Sequence, residues 1–170
     1  MNQLDLNHLQ NAVNRRGKAV GWVQGTFQPT HPEKYIGYGN PTYRSSWEKR
    51  VMEYMDRNEN VIRWGSETLQ IKYVFELSTN GKQKNYYVDF YCEIRNQQGI
   101  VEKVAIEVKS DTQTRPPIPP KNKTAKAMKN YLYSVSTYVK NQNKRKAAEI
   151  FCRKNGMKFM LLTENDIFKK

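Results

Sequence analysis

Asp89, Glu107 and Lys109 are the residues whose types and spacing are suited to chemistry. The stretch "VAIEVKS", residues 104–110, sets a carboxylate and an amine two residues apart in an apolar run. Side chains alternate along a strand, so Ala105, Glu107 and Lys109 share one face and Val104, Ile106 and Val108 the other. The preceding strand, "KNYYVDFYCEI" over 84–94, carries Asp89 in its middle, where Asp is disfavoured. Its alternation groups Tyr86, Val88, Phe90 and Cys92 on one face and Tyr87, Asp89, Tyr91 and Glu93 on the other. Folding this hairpin about "NQQG" sets Asp89 opposite residue 106. Shifting the loop by one residue sets it across from Glu107, with Cβ atoms about 5 Å apart. Two carboxylates so placed repel and raise their own pKa. A divalent cation removes that cost, and an all-oxygen site suits Mg²⁺ or Mn²⁺, with water and phosphate oxygens completing the shell. The chemistry such a site offers is phosphodiester hydrolysis. The plain alternative for Glu107 and Lys109 alone is a strand with one wet face.

A third carboxylate comes from the helix predicted over 46–57. Its apolar stripe holds Trp47, Val51, Met52, Tyr54 and Met55, and Glu48 lies within that stripe. Lys49, Arg50, Glu53, Asp56 and Arg57 take the opposite side. "SSWE" also reads as a capping box, with Ser45 or Ser46 as N-cap and Glu48 bonding back to the Ser45 amide. The helix alone leaves both roles of Glu48 open.

The other elements position these residues. "VIRW" at 61–64 and "LQIKYVFEL" at 69–77 read as strands, and Asn80-Gly81 signals a hairpin. With 84–94 and 101–109 they form an antiparallel meander. "RPPIPP" at 115–120 is a polyproline II spacer. Helices are predicted over 124–140 and over 144–155, the second capped by Asn143 and closed by Gly156. "MKFMLL" at 157–162 is a further strand, and Thr163 caps a last helical turn. The order predicts an α/β fold, a mixed sheet flanked by helices. Residues 1–43, rich in Gly, Pro, Thr and Asn, read as a short helix near 4–13 and then an irregular arm. Its Trp22, Phe27, Tyr35, Ile36 and Tyr38 predict that it packs on the core over 44–170.

Composition points to the partner. Lys and Arg number 29 against 16 Asp and Glu, a net charge of +13 in 170 residues. Such a surplus favours a polyanion, most often nucleic acid. The stretch 112–148 contains no acid at all, yet holds Arg115, Lys121, Lys123, Lys126, Lys129, Lys140, Lys144, Arg145 and Lys146. It predicts a phosphate-contacting face with little sequence preference. Tyr131, Tyr133 and Tyr138 interleave at helical spacing, which suits packing better than base stacking. Arg44, Ser45 and Ser46 stand near the site end of the first helix and are further DNA-contact candidates. No apolar run is long enough to cross a bilayer, and the N-terminus lacks a signal-peptide pattern. Cys92 and Cys152 are isolated and read as reduced core thiols. His8 and His31 have no partner at ligand spacing.

Asp89 followed by Glu107-Val108-Lys109 resembles the core of the PD-(D/E)xK nuclease superfamily. Val88 stands where that pattern has its Pro. A narrower resemblance rests on "RSSWE", "YYVDF", "VAIEVKS…PPIPP" and "NKRKAAEIFCRKNGMKFMLLTENDI". In this order they are similar to the head-completion nucleases of T-even-type tailed phages and to transposon end-cleaving endonucleases, from about residue 25 onward. The resemblance implies a restriction-endonuclease-like fold and an Mg²⁺-dependent DNA endonuclease leaving a 5′-phosphate. It implies action at the packaged head before tail joining, in the cytoplasm of an infected bacterium or on the virion. By position it assigns Glu48, Asp89, Glu107 and Lys109 as the catalytic set. Asp89, Glu107 and the Val108 carbonyl would hold the ion, with Glu48 ligating through water or holding a second. Two alternatives stay open: a non-enzymatic plug or adaptor binding DNA and portal or neck proteins, and another nuclease of the superfamily, such as a junction resolvase.

Overall fold

The computed structural model describes residues 24–167. The expected helix near 4–13 and Trp22 lie outside that range. Eight strands and four α-helices follow in order: β1 (Gly25–Thr26), β2 (Thr42–Tyr43), α1 (Ser46–Arg57), β3 (Val61–Ser66), β4 (Gln70–Val74), β5 (Gln83–Tyr87), β6 (Phe90–Arg95), β7 (Val101–Val108), α2 (Asp111–Thr114), α3 (Ala125–Lys154), β8 (Lys158–Leu162) and α4 (Glu164–Ile167).

The central sheet runs β3-β6-β7-β8. β3, β6 and β7 are antiparallel neighbours, and β8 joins β7 in parallel, so the sheet is mixed. A parallel partner needs a long crossover, and the chain between β7 and β8 supplies it through α2, the proline segment and α3. β7 is covered on both faces. Val104, Ile106 and Val108 join Val51, Met52 and Met55 of α1 in one core cluster. Ala105 joins Tyr86, Val88, Ala148 and Cys152 in another, beneath α3. Ala105 is fully buried within that second cluster.

Three expectations are corrected. The strand over 84–94 is two strands that break at Val88-Asp89 and lie in different sheets. Tyr86 and Val88 therefore face the α3 cluster and Phe90 and Cys92 the α1 cluster, although their parity is the same. The break is held from three sides: Val88 N–H donates to Leu69 O, Glu67 N–H donates to Asp89 O, and Val108 N–H donates to the Asp89 carboxylate. The meander is likewise not continuous. β4 pairs only with β5, as a hairpin beside the main sheet, and residues 75–82 form a longer loop than Asn80-Gly81 suggested. Gly81 still supplies a left-handed turn position, at φ 58°. Third, the helices predicted over 124–140 and 144–155 are one helix of 30 residues. Asn143 is not a cap within it; its side-chain amide instead donates to Glu76, whose backbone N–H it accepts.

Two features read from sequence hold. Ser45 is the N-cap of α1, its hydroxyl accepting the Glu48 N–H. Gly156 takes a left-handed φ of 62° just past the end of α3. The described part of the arm packs on the core through Phe27, in the α1-side cluster, and Tyr35, whose ring centroid lies 4.8 Å from that of Trp64. It also covers Asp56, which helix periodicity placed on the solvent side. Asp56 is 1% exposed because Thr30 and His31 N–H donate to its carboxylate at 2.9 and 3.1 Å. Lys34 adds bonds to the carbonyls of Asp56 and Asn58.

Candidate active site

The β6–β7 register decides which carboxylates meet. Phe90 faces Ile106 and Tyr91 faces Ala105, so continuing one step sets Asp89 opposite Glu107. The turn accommodates this register through Gly99, left-handed at φ 77°, with Asn96 closing the loop against Ile100. Directly paired residues share a face, so Asp89, Glu107, Ala105 and Tyr91 all look toward α3.

The three residues form a tight group. Lys109 Nζ lies 2.8 Å from Glu107 Oε1 and 3.8 Å from Asp89 Oδ2. It also donates to the Val108 carbonyl at 3.2 Å. Asp89 Oδ2 accepts the Val108 N–H at 2.7 Å, which ties the strand break to β7. Glu107 is 7% exposed, and its Oε2 has no hydrogen-bond partner. A buried carboxylate oxygen left bare is costly. Burial, and then the charge of Glu107, push Asp89 up to about 7, against the lowering pull of Lys109 and the Val108 amide. Burial draws the Lys109 ammonium down, but Asp89, Glu107 and Glu48 outweigh it and its pKa is raised. Lys109 thus stays charged beside Asp89, which holds its proton more readily than an exposed carboxyl would.

Glu48 stands apart from this group. Its Oε2 accepts the Arg44 N–H at 2.7 Å and its Oε1 the Ser45 hydroxyl at 3.1 Å. The reciprocal bond therefore reaches one residue further back than the Ser45 amide expected of a capping box. Glu48 is near enough to act electrostatically on Asp89 and Lys109. Among the described residues no three His, Cys, Asp or Glu side chains stand together as a metal cluster. The donors that do converge are the Asp89 and Glu107 carboxylates and the Val108 carbonyl. They are all oxygen, with one buried oxygen bare, and that set fits a hard divalent cation.

The DNA-contact candidates scatter more widely. Arg44 pairs through both guanidinium nitrogens with Glu67, one contact at 3.1 Å, and that pairing raises its pKa. Glu67 sits in the left-handed region at φ 53°, an uncommon place for a non-glycine, directly beside Asp89 in the hydrogen-bond network. Ser45 caps α1, and Ser46 is its first residue. Lys123 precedes α3, and Lys126, Lys129, Lys144 and Arg145 lie on it. Only Ala148 and Cys152 of that helix are buried, both in its last third, so the segment from 125 to about 143 stands largely clear of the core. Lys126, Asn130, Thr137 and Lys144 share one helical face, which continues into buried Ala148. Lys126 and Lys144 therefore lie on the face that packs over the sheet further along, whereas Arg145 lies about 100° around the helix and pairs with Glu149 at 2.8 Å. Sequence reasoning missed Gln113 and Thr114 of α2 as cleft-lining groups. It also missed Asp56 and the Arg44–Glu67 pair. Periodicity misplaced Asp56, and no sequence signal marked the others.

A mixed sheet with helices on both faces, and Asp89, Glu107 and Lys109 gathered at a strand break, define a restriction-endonuclease-like nuclease fold. The chain belongs to the TnsA-like endonuclease family, whose N-terminal domain it matches over residues 58–164. Asp89, Glu107 and Lys109 fall inside that span and Glu48 ahead of it. Over 144 residues it is 35% identical to the head completion nuclease of Enterobacteria phage T4, covering 84% of this chain and 92% of that protein. No solved structure matches it significantly.

Proposed function

We propose that this chain is a divalent-cation-dependent DNA endonuclease acting in phage head completion, after packaging and before tail joining. The observation that carries the nuclease reading is the Asp89–Glu107 pair, Glu107 buried with one oxygen bare, with Lys109 between its members. The head-completion role is drawn from the T4 relative's name, and portal or neck proteins are the protein partners it implies. The host cytoplasm, and then the virion, are where such an enzyme would work. The arm up to residue 43 and the nuclease domain from 44 onward would make up its two parts.

Asp89, Glu107 and the Val108 carbonyl would hold Mg²⁺ or Mn²⁺, with Glu48 reaching the shell through water. The ion would supply Lewis acidity to a phosphoryl oxygen and to a bound water. Lys109 donates to the incoming water or to the oxygens that gain charge as the phosphorus becomes five-coordinate. Water forms the new O–P bond, the P–O3′ bond breaks, and the 3′ oxygen leaves as a hydroxyl once protonated. Because Glu107 Oε1 anchors Lys109, the ammonium stays aimed at the reacting phosphate. The basic residues of α3 ahead of Glu149 would carry the flanking duplex by contacts to its backbone.

Supercoiled plasmid tests this directly. Mg²⁺ or Mn²⁺ should yield nicked and linear forms with the wild-type chain, and EDTA or Glu107→Ala should abolish them. If no condition gives cleavage, a DNA-binding adaptor is the surviving reading.

A further inference from the structure

The cleft above Glu107 has a second wall that the acidic pair and Lys109 do not account for. β7 supplies Glu107, the residue just past its end is Lys109, α2 supplies Gln113 and Thr114, and α3 supplies Asn141 and Lys144. Lys144 is a half-buried cation that lines the cleft. Ala148, one turn further along the same face, is fully buried beneath α3. The Lys144 Nζ lies 5.1 Å from the Tyr86 ring centroid and 5.8 Å from that of Tyr73. The two rings hold the ammonium itself at cation–π distance, on the α3 side of the cleft. Among the described residues no carboxylate stands within ion-pair distance of it. Burial, then Lys109 and Lys140, draw its pKa down, against the pull of Glu107 and Asp89.

A desolvated ammonium without an anion is the counterpart of a buried carboxylate oxygen without a donor, and the same cleft holds both. The enclosed space is about 20 Å³, room for about one water, so a phosphodiester would meet the two groups at the cleft's mouth: its non-bridging oxygens take ammonium donors while an ion sits on the carboxylates. Lys144 therefore differs from Lys126 and Lys129, which are exposed on the outer part of α3 and touch none of the cleft.

We propose that Lys144 is a substrate-contacting residue whose ammonium takes a non-bridging oxygen of the phosphodiester under attack, from the wall opposite Lys109. This inference rests on the nuclease reading and adds a catalytic group from α3 to it. Lys144 would then act on the rate of cleavage more than on the affinity for DNA.

The test compares wild type, Lys144→Met and Lys144→Arg. Single-turnover cleavage of a duplex is measured at saturating protein with Mg²⁺, and affinity for the same duplex is measured in EDTA. Met keeps an unbranched side chain of similar length over Tyr73 and Tyr86, and melting checks that the fold is retained; Lys144→Gln is the second uncharged variant. The saturated rate should fall about a hundredfold in the uncharged variants, the range for removing one transition-state donor. Affinity should change less than about threefold, and Lys144→Arg should recover much of the rate. Two outcomes overturn the proposal while wild type still cuts. One is a saturated rate within about threefold of wild type in the uncharged variant. The other is a loss that appears only in affinity, which would make Lys144 one more docking lysine. A wild type that never cuts, with Glu107→Ala indistinguishable from it, sinks the nuclease reading and takes this inference with it.

Discussion

One face of the central sheet carries two acidic centres with opposite fates. At one end Glu93 of β6, 7% exposed, accepts from Arg63 at 2.8 Å and from the Tyr91 hydroxyl at 2.6 Å. The Arg63 bond is the largest influence on it and holds its carboxyl below the usual range. At the other end Glu107 is equally buried, yet one oxygen has no donor, and the neighbouring Asp89 is pushed up to about 7. Register places Glu93 opposite Lys103, four residues from Glu107 on the same strand. That is roughly 13 Å at strand rise. Asp56, still more deeply buried, is also satisfied, by two backbone N–H groups of the arm. Burial alone does not mark a functional carboxylate in this molecule. What separates the pair is that its charge is incompletely met by the protein's own groups. Unmet charge is kept where something else is to meet it.

This contrast is open to mutation. The largest effect belongs to Asp89→Ala and Glu107→Ala, which should lower plasmid cleavage by about a thousandfold or more through loss of the ion's ligands. Glu93→Ala should leave the cut rate of folded protein close to wild type. Stability should order the sites the other way. Asp56→Ala strips two backbone donors of a charged acceptor and should cost about 3 kcal/mol by denaturant melts. Glu107→Gln in EDTA should cost less than Asp56→Ala, since Asp89 still faces Lys109 and the repulsion between the two carboxylates is removed. Equal destabilisation at both positions would erase the distinction between them.

A smaller effect is expected in pH dependence. In the metal-free protein Asp89 holds its proton up to about pH 7, whereas unfolded it releases it near 3.8. The folded state therefore binds the extra proton between those values, and stability falls as pH rises across that window. Melting in EDTA should drop from pH 5 to pH 8 more steeply in wild type than in Asp89→Asn. Glu93 has the opposite sign: its depressed pKa contributes stability that is lost as pH falls. The smallest effect belongs to single exposed lysines of α3. Lys129→Ala should reduce the salt slope of DNA binding by about one unit.

Much of this was legible in sequence because strands write their faces as alternation. The pairing of Asp89 with Glu107 followed from hairpin register, and the one-residue loop adjustment that it needed is the one Gly99 allows. The strand break at Val88-Asp89 was not legible, since "YYVDFYC" alternates without interruption and only the tertiary bonds to Leu69, Glu67 and Val108 divide it. The single long α3 was hidden by Asn143, a good cap residue that here bonds sideways to Glu76. Asp56 was misplaced because helix periodicity cannot see an arm that folds back over the polar side. Lys144 was one lysine among many until β4, β5 and α3 came together around it. Long-range packing, rather than local propensity, decided each of these.

Binding of Mn²⁺ to the DNA-free chain at pH 8, followed by calorimetry, bears most directly on the role given to the acidic pair. Saturable binding should be present in wild type, accompanied by a raised melting temperature, weaken as pH falls below about 7, and be lost in Asp89→Asn and Glu107→Gln but kept in Glu93→Gln. Binding that survives both site substitutions unchanged, or none at any pH, would contradict the assignment of the pair as a cation site.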